Sequence, residues 1–144
     1  AQVLTRLSAK YGAVPLIFGG RDDAQACAGV SERIKTKHID LCNRTNLRES
    51  IALLSRLKVF ITNDSGPMHL SAALGAPTVA IFGSTSPRLT GPLGEKAAVV
   101  KTGIECSPCF DRKCRYGHYR CLSSIGADEV AAKAESLLDG PVDG

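Results

Sequence analysis

One stretch of this 144-residue chain gathers more chemistry than any other: Asn63-Asp64-Ser65-Gly66-Pro67-Met68-His69-Leu70. It follows an apolar run, Lys58-Val59-Phe60-Ile61-Thr62, that reads as a buried strand, and it opens a segment, Met68 to Leu74, that reads as a helix. Proline suits the first helical position. With Gly66 as the cap, the N–H groups of Met68 and His69 are expected to point free, and a free helix N-terminus binds anions. The helix end adds roughly half a positive charge, and glycine lets a phosphate approach the backbone closely. Helical side chains lean back toward the N-terminus, so the His69 ring is expected to overhang the same place. The plain alternatives are a helix cap made by Asp64, Ser65 or Gly66 and a core histidine. Capping accounts for one such residue and not for the cluster, and Ala72 and Ala73 leave His69 room.

Asp64 would repel a phosphate unless it is aimed elsewhere, and ionised carboxylates accept strong hydrogen bonds from sugar hydroxyls. Phosphate on the amides and sugar on the acid together imply a sugar nucleotide.

A second group of reactive residues lies later. Cys106, Cys109, Cys114 and Cys121 are bunched, with His118 among them, while Cys27 and Cys42 stand apart. The Cys106-Ser107-Pro108-Cys109 pair has zinc-knuckle spacing, although the later intervals of four and six residues match no specific pattern. Structural zinc on Cys106, Cys109, Cys114 and Cys121 is the expectation, with an iron–sulfur cluster, disulfides or free thiols as alternatives. Arg112, Lys113, Arg115 and Arg120 share this tract with Phe110, Tyr116 and Tyr119. Cations with aromatics suit nucleic acid, an anionic acceptor or a membrane surface; a solvated basic loop is the bland reading.

The elements that must position these residues alternate. Helices are expected over Ala1–Tyr11, about Asp23–Val30, Leu47–Leu57, Met68–Leu74 and Asp128–Leu138. Leu47, Ile51, Leu54 and Leu57 form a buried stripe, with Thr45 or Asn46 as the cap. Strands are expected at Val14–Phe18, His38–Cys42, Lys58–Thr62, Ala76–Phe82 and Ala97–Val100. Strand runs this continuously apolar imply a parallel sheet with helices on both faces, an α/β Rossmann-like three-layer fold. Right-handed crossovers then put the turns Gly19–Asp23, Asn43–Asn46, Asn63–Pro67 and Gly83–Pro87 on the carboxyl rim, where such sheets bind ligands.

An apolar content of 44% in 144 residues supports one core, hence one expected domain, 1–144. No run approaches the roughly 20 apolar residues of a membrane span, and no signal peptide is expected. The first helix has no capping residue before it, so the chain reads as beginning inside something larger. A net charge of +4 is too small to demand nucleic acid.

Thr62 to Leu70, followed by Ala72-Ala73-Leu74-Gly75 and Phe82-Gly83-Ser84-Thr85-Ser86-Pro87, resembles the bacterial ADP-heptose:lipopolysaccharide heptosyltransferases, most of all the second of the two inner-core types. Leu47 to Leu54 fits the helix before that motif. The resemblance implies the C-terminal, nucleotide-sugar-binding half of a two-domain GT-B glycosyltransferase, with a Cys-rich insertion at about 104–122. It implies that Asp64 binds heptose hydroxyls, that Ser65 and Gly66 hold the diphosphate with His69 beside it, and that Asp23 holds the nucleoside, where some members carry Glu. The implied reaction is an inverting transfer of heptose from ADP-heptose to the lipopolysaccharide inner core. The catalytic base is expected in the missing N-terminal domain, leaving none in this chain, which alone should bind ADP and transfer nothing. No cofactor is implied for transfer, so zinc would only brace the Cys tract. Implied partners are the donor, the inner-core acceptor and the N-terminal domain, with peripheral membrane contact and no nucleic acid. The implied location is cytoplasmic, at the inner face of the inner membrane. Two other readings stay open: a zinc-containing nucleic-acid-binding module and a non-catalytic nucleotide-binding domain.

Overall fold

The structure is a computed structural model that describes residues 1–140; the last four residues of the expected 1–144 domain lie outside it. The chain forms two compact units, 1–50 and 51–144, and the boundary falls inside a helix.

In the first unit, α1 (Gln2–Tyr11) ends on Gly12, whose φ of 63° is the left-handed conformation that favours glycine. Strands β1 (Leu16–Ile17) and β2 (Ile39–Asp40) pair in parallel, Leu16 opposite Ile39. Between them come a 3₁₀ turn, Arg21–Asp23, and α2 (Ala24–Ser31). Ile17, Cys27 and Ile34 form the small core here, with Leu4, Val30 and Cys42 packed on it. Asn46 caps α3 (Leu47–Leu54): Glu49 N–H donates to Asn46 Oδ1 at 3.0 Å, and Asn46 N–H donates to Glu49 Oε2 at 2.8 Å. This reciprocal pair is a capping box, and it starts α3 at the residue expected from sequence.

The second unit is built on a three-stranded parallel sheet, β3 (Phe60–Asn63), β4 (Thr78–Phe82) and β5 (Ala97–Lys101), in that order. Helix α4 (Gly66–Ala73) makes the crossover from β3 to β4. Its Met68 is fully buried against Ala80 and Phe82, with Val99 alongside. Val79 and Val100 alternate to the opposite face of the sheet and are also fully buried. Helix α7 (Ala127–Leu138) packs on β4 and β5 and buries Val130, Ala131 and Ala134. Under α4 a buried polar pair is satisfied: Ser71 and Thr78 hydroxyls meet at 2.8 Å, and Thr78 donates to Ala76 C=O. Two short helices, α5 (Pro87–Thr90) and α6 (Arg120–Ser123), have no periodic apolar pattern and escaped sequence reading.

The fold is therefore parallel-sheet α/β, as the sequence implies, with its strands paired as two sheets rather than one. Among the described residues no helix is long and apolar enough to cross a membrane.

Candidate functional site

Asn63 pairs with Ile81 across β3 and β4, so the turns leaving the two strands emerge side by side at the carboxyl edge. The first of these holds Asp64, Ser65 and Gly66. Ser65, in extended conformation (φ −158°, ψ 166°), is the cap of α4, and Gly66 and Pro67 open the helix. The cap thus falls one residue earlier than expected. That shift changes which amides are open. Met68 N–H donates to Ser65 C=O at 3.1 Å and is not free. The Ser65 and Gly66 N–H groups have no acceptor among the described residues. The Ser65 hydroxyl does not cap the helix: it sits 3.2 Å from both Asn63 C=O and the Thr62 hydroxyl, which turns it toward the strand.

Space above Gly66 is open, since a Cβ built there would meet nothing within 4 Å. Its φ is not in the left-handed range, so the position does not need glycine for backbone reasons. A bulky anion can therefore reach the amides of Ser65 and Gly66. The His69 side chain is exposed on α4 and has no hydrogen-bond partner among the described residues, which excludes the core-histidine alternative.

Asp64 is half-buried, and its Oδ2 accepts a hydrogen bond from the Thr90 hydroxyl at 3.0 Å. Oδ1 has no partner. One carboxylate oxygen is held by the protein and the other is open. Sequence reading found Asp64 but not Thr90, which is 26 residues away on an unexpected helix.

Asp23 lies in the first unit and is exposed. Its Oδ2 accepts from Gly20 N–H at 2.8 Å, and its own N–H donates to Gly20 C=O at 3.1 Å. The carboxylate closes its own turn. Behind it, a Cβ at Gly19 would lie 2.5 Å from Cys27 Sγ and 2.9 Å from Asp23 Cβ, so this glycine is required for packing. Burial, followed by the neighbouring Cys42 thiol, pushes the Cys27 thiol up to about 11.

The cysteine tract docks on the carboxyl edge of β4. Ser107 hydroxyl donates to Gly83 C=O at 2.7 Å, and the Cys109 and Phe110 amides both donate to Ser84 C=O. Leu122, on α6, packs directly over Gly83. Cys106, Cys109, Cys114 and Cys121 line one concavity together with Ser84, Arg112 and His118. All six cysteines are free thiols, so the disulfide alternative does not hold. Backbone N–H groups of Tyr119, Tyr116, His118 and Gly117 hold the Cys114 thiol below its ordinary range. The zinc expectation needs correction: among the described residues no group of three or more His, Cys, Asp or Glu side chains is arranged to hold a metal ion. Intervals of four and six residues, with Cys121 carried on α6, line a shared concavity without converging three sulfurs on one centre. Asp111, which an Arg115 hydrogen bond at 2.7 Å holds below the usual carboxylate range, is committed to that ion pair. Tyr116 and His118 stack with ring centroids 5.6 Å apart.

A family model described as glycosyltransferase family 9 (heptosyltransferase) matches residues 1–120. Lipooligosaccharide heptosyltransferase 2 of Campylobacter jejuni (serotype O:2) is 37% identical over 128 residues, covering 85% of this chain and 40% of that protein. Lipopolysaccharide heptosyltransferase 2 of Escherichia coli K12 is 30% identical over 127 residues, covering 85% and 36%. The glycosyl transferase family 9 structure from Veillonella parvula superposes with a TM-score of 0.82 at 30% identity, covering 97% of this chain and 40% of that one. For E. coli ADP-heptose LPS heptosyltransferase II the TM-score is 0.79 at 28% identity, covering 94% and 39%. The chain spans about 40% of the length of the relatives it matches.

Proposed function

Since the chain belongs to glycosyltransferase family 9, the heptosyltransferases, we propose that it is the nucleotide-sugar-binding half of an inverting GT-B enzyme that takes heptose from ADP-heptose to the lipopolysaccharide inner core. The observation that carries this reading is the turn after β3. Its Ser65 and Gly66 amides, the His69 side chain and the Oδ1 of Asp64, all without partners among the described residues, offer a diphosphate and a sugar separate contacts at one sheet edge. In this reading the amides, His69 and the α4 end stabilise the negative charge that gathers on the departing ADP, and Asp64 orients the sugar.

The acceptor hydroxyl needs a base, which in this reading comes from an amino-terminal half that completes the domain plan of the family. The Cys-rich insertion at about 104–122 belongs to the donor half. Its exposed Arg112, Lys113 and Arg120 support a contact with the anionic acceptor at the cytoplasmic face of the membrane that carries it. The comparisons give no support to a nucleic-acid-binding module or to a non-catalytic nucleotide-binding domain.

Calorimetric titration with ADP, UDP and a short oligonucleotide tests the proposal. ADP binding, stronger than UDP binding and absent for the oligonucleotide, is the expected result. An oligonucleotide that binds with steep salt dependence while ADP does not would overturn it.

A further inference from the structure

The side chain that orders Asp64 comes from the neighbouring turn. Thr90 ends α5, and α5 is tied back to the turn after β4 by Leu89 and Thr90 amides, which both donate to Ser86 C=O. Gly91 lets the chain close tightly there: its N–H donates to Pro87 C=O at 2.9 Å, and a Cβ at this position would collide with that carbonyl oxygen. Thr90 is therefore held by backbone geometry, with little freedom to follow a moving partner.

Its hydroxyl has one proton and two acceptors within reach, Asp64 Oδ2 at 3.0 Å and Ser86 C=O at 3.3 Å. A carboxylate is the stronger acceptor, and it is also the nearer one. Donation to Oδ2 removes the two-fold freedom of the Asp64 carboxylate and leaves Oδ1 as its open acceptor. Without that donor the aspartate, next to the α4 cap, is free to rotate, and a rotating acceptor gains less from each sugar hydroxyl.

We infer that Thr90 is a positioning residue for donor recognition: it fixes Asp64 so that Oδ1 meets the hydroxyls of the sugar in a nucleoside-diphosphate sugar, and it thereby sets the preference for the sugar nucleotide over the bare nucleotide. This rests on the proposed function of the β3 turn and adds to it a residue from a second element. Thr90 touches neither phosphate nor sugar; it acts through Asp64.

Calorimetry on the chain with ADP-heptose and with ADP tests this. Thr90→Val, which keeps the shape and removes the donor, is expected to weaken ADP-heptose binding about tenfold while changing ADP binding less than about twofold. Thr90→Ser, which keeps the hydroxyl, is expected to restore the preference. Asp64→Asn is expected to lose the same preference, and the double variant Thr90→Val with Asp64→Asn to lose no more than either alone, since the two act as one unit. A destabilised fold would lower both ligands together and would not follow this pattern. Retained preference for ADP-heptose in Thr90→Val, or equal binding of the two ligands by the unsubstituted chain, overturns the inference while the β3-turn site stands. Binding of neither ligand by the unsubstituted chain overturns the proposed function itself.

Discussion

Two turns of this molecule follow a parallel strand and lead into a helix, yet they end in opposite states. The turn after β1 closes on itself: Asp23 accepts from Gly20, and Gly19 lies hard against Cys27 and Cys42. The turn after β3 stays open. Among the described residues its Ser65 and Gly66 amides lack acceptors and nothing crowds Gly66, and its acid is ordered from a distant residue, Thr90. Both carry Gly and Asp, so composition does not separate them. What separates them is where each polar group finds its partner. A turn satisfied by its own residues has spent its polar groups, and a turn held from outside keeps groups that a ligand can use.

This contrast predicts opposite outcomes for the same kind of substitution. Gly66→Val fills the open space over the α4 end, so ADP affinity should fall about a hundredfold, or ~2.7 kcal/mol, with the thermal midpoint nearly unchanged; calorimetry paired with a melting curve reads both. Undiminished binding would place the phosphate elsewhere. Gly19→Ala should do the reverse. It forces a methyl against Cys27 and Asp23, and overpacking of this kind costs about 2 kcal/mol, read as a lower urea midpoint for the first unit; an unchanged midpoint would show that this turn yields easily.

A smaller effect should follow from Asp23→Ala. Loss of the bond to Gly20 costs about 1 kcal/mol, the usual value of such a cap, and Asp23→Asn should recover most of it. If Asp23 also holds the nucleoside, the alanine variant loses ADP affinity beyond its stability loss, which separates the two roles of one carboxylate.

The thiols sharpen the contrast further at the lowest amplitude. Cys27, buried behind the closed turn, is pushed up to about 11, while backbone amides lower Cys114. Iodoacetamide, which reacts with thiolate, should modify Cys114 at a lower pH than Cys27, as peptide mass spectrometry would show. The sign for stability also follows. A thiol raised by folding keeps its full contribution below about 8.5, its usual value, and loses it as pH rises through about 11. Alkaline unfolding should therefore weaken the first unit in that window, and mutation of Cys27 to Ala should flatten the profile there.

Local patterns made much of this legible. The apolar spacing after Asn46, and the apolar run before Asn63, led directly to α3 and β3 because each signal is contained within a few residues, although Leu47 at the start of the expected buried stripe is exposed and Leu54 alone is fully buried on α3. The strand cores came out shorter than their apolar runs: Val14–Phe18 contains a ladder of only Leu16–Ile17, since pairing requires a partner in register as well as an apolar sequence. For α4 the cap was off by one residue. Ser65 rather than Gly66 caps it, because proline is accommodated just inside a helix at more than one position; the Met68 amide is then spent on Ser65 C=O, while those of Ser65 and Gly66 have no acceptor among the described residues. For the cysteines, spacing alone favoured zinc; the folded loop lines a concavity with all four without building a metal-holding group among the described residues.

The sequence by itself determined the alternation of parallel strands and helices, the polar turn at Asn63–Gly66 and its chemistry, because hydrophobic period, proline placement and side-chain type act over neighbouring residues. Tertiary structure decided which of those groups remain available. Thr90 reaches Asp64 only because β3 and β4 lie side by side and α5 folds back over Ser86, and Asp23 is occupied because its own turn closes. Hydrogen-bond satisfaction depends on distances across the chain, and no local pattern encodes them.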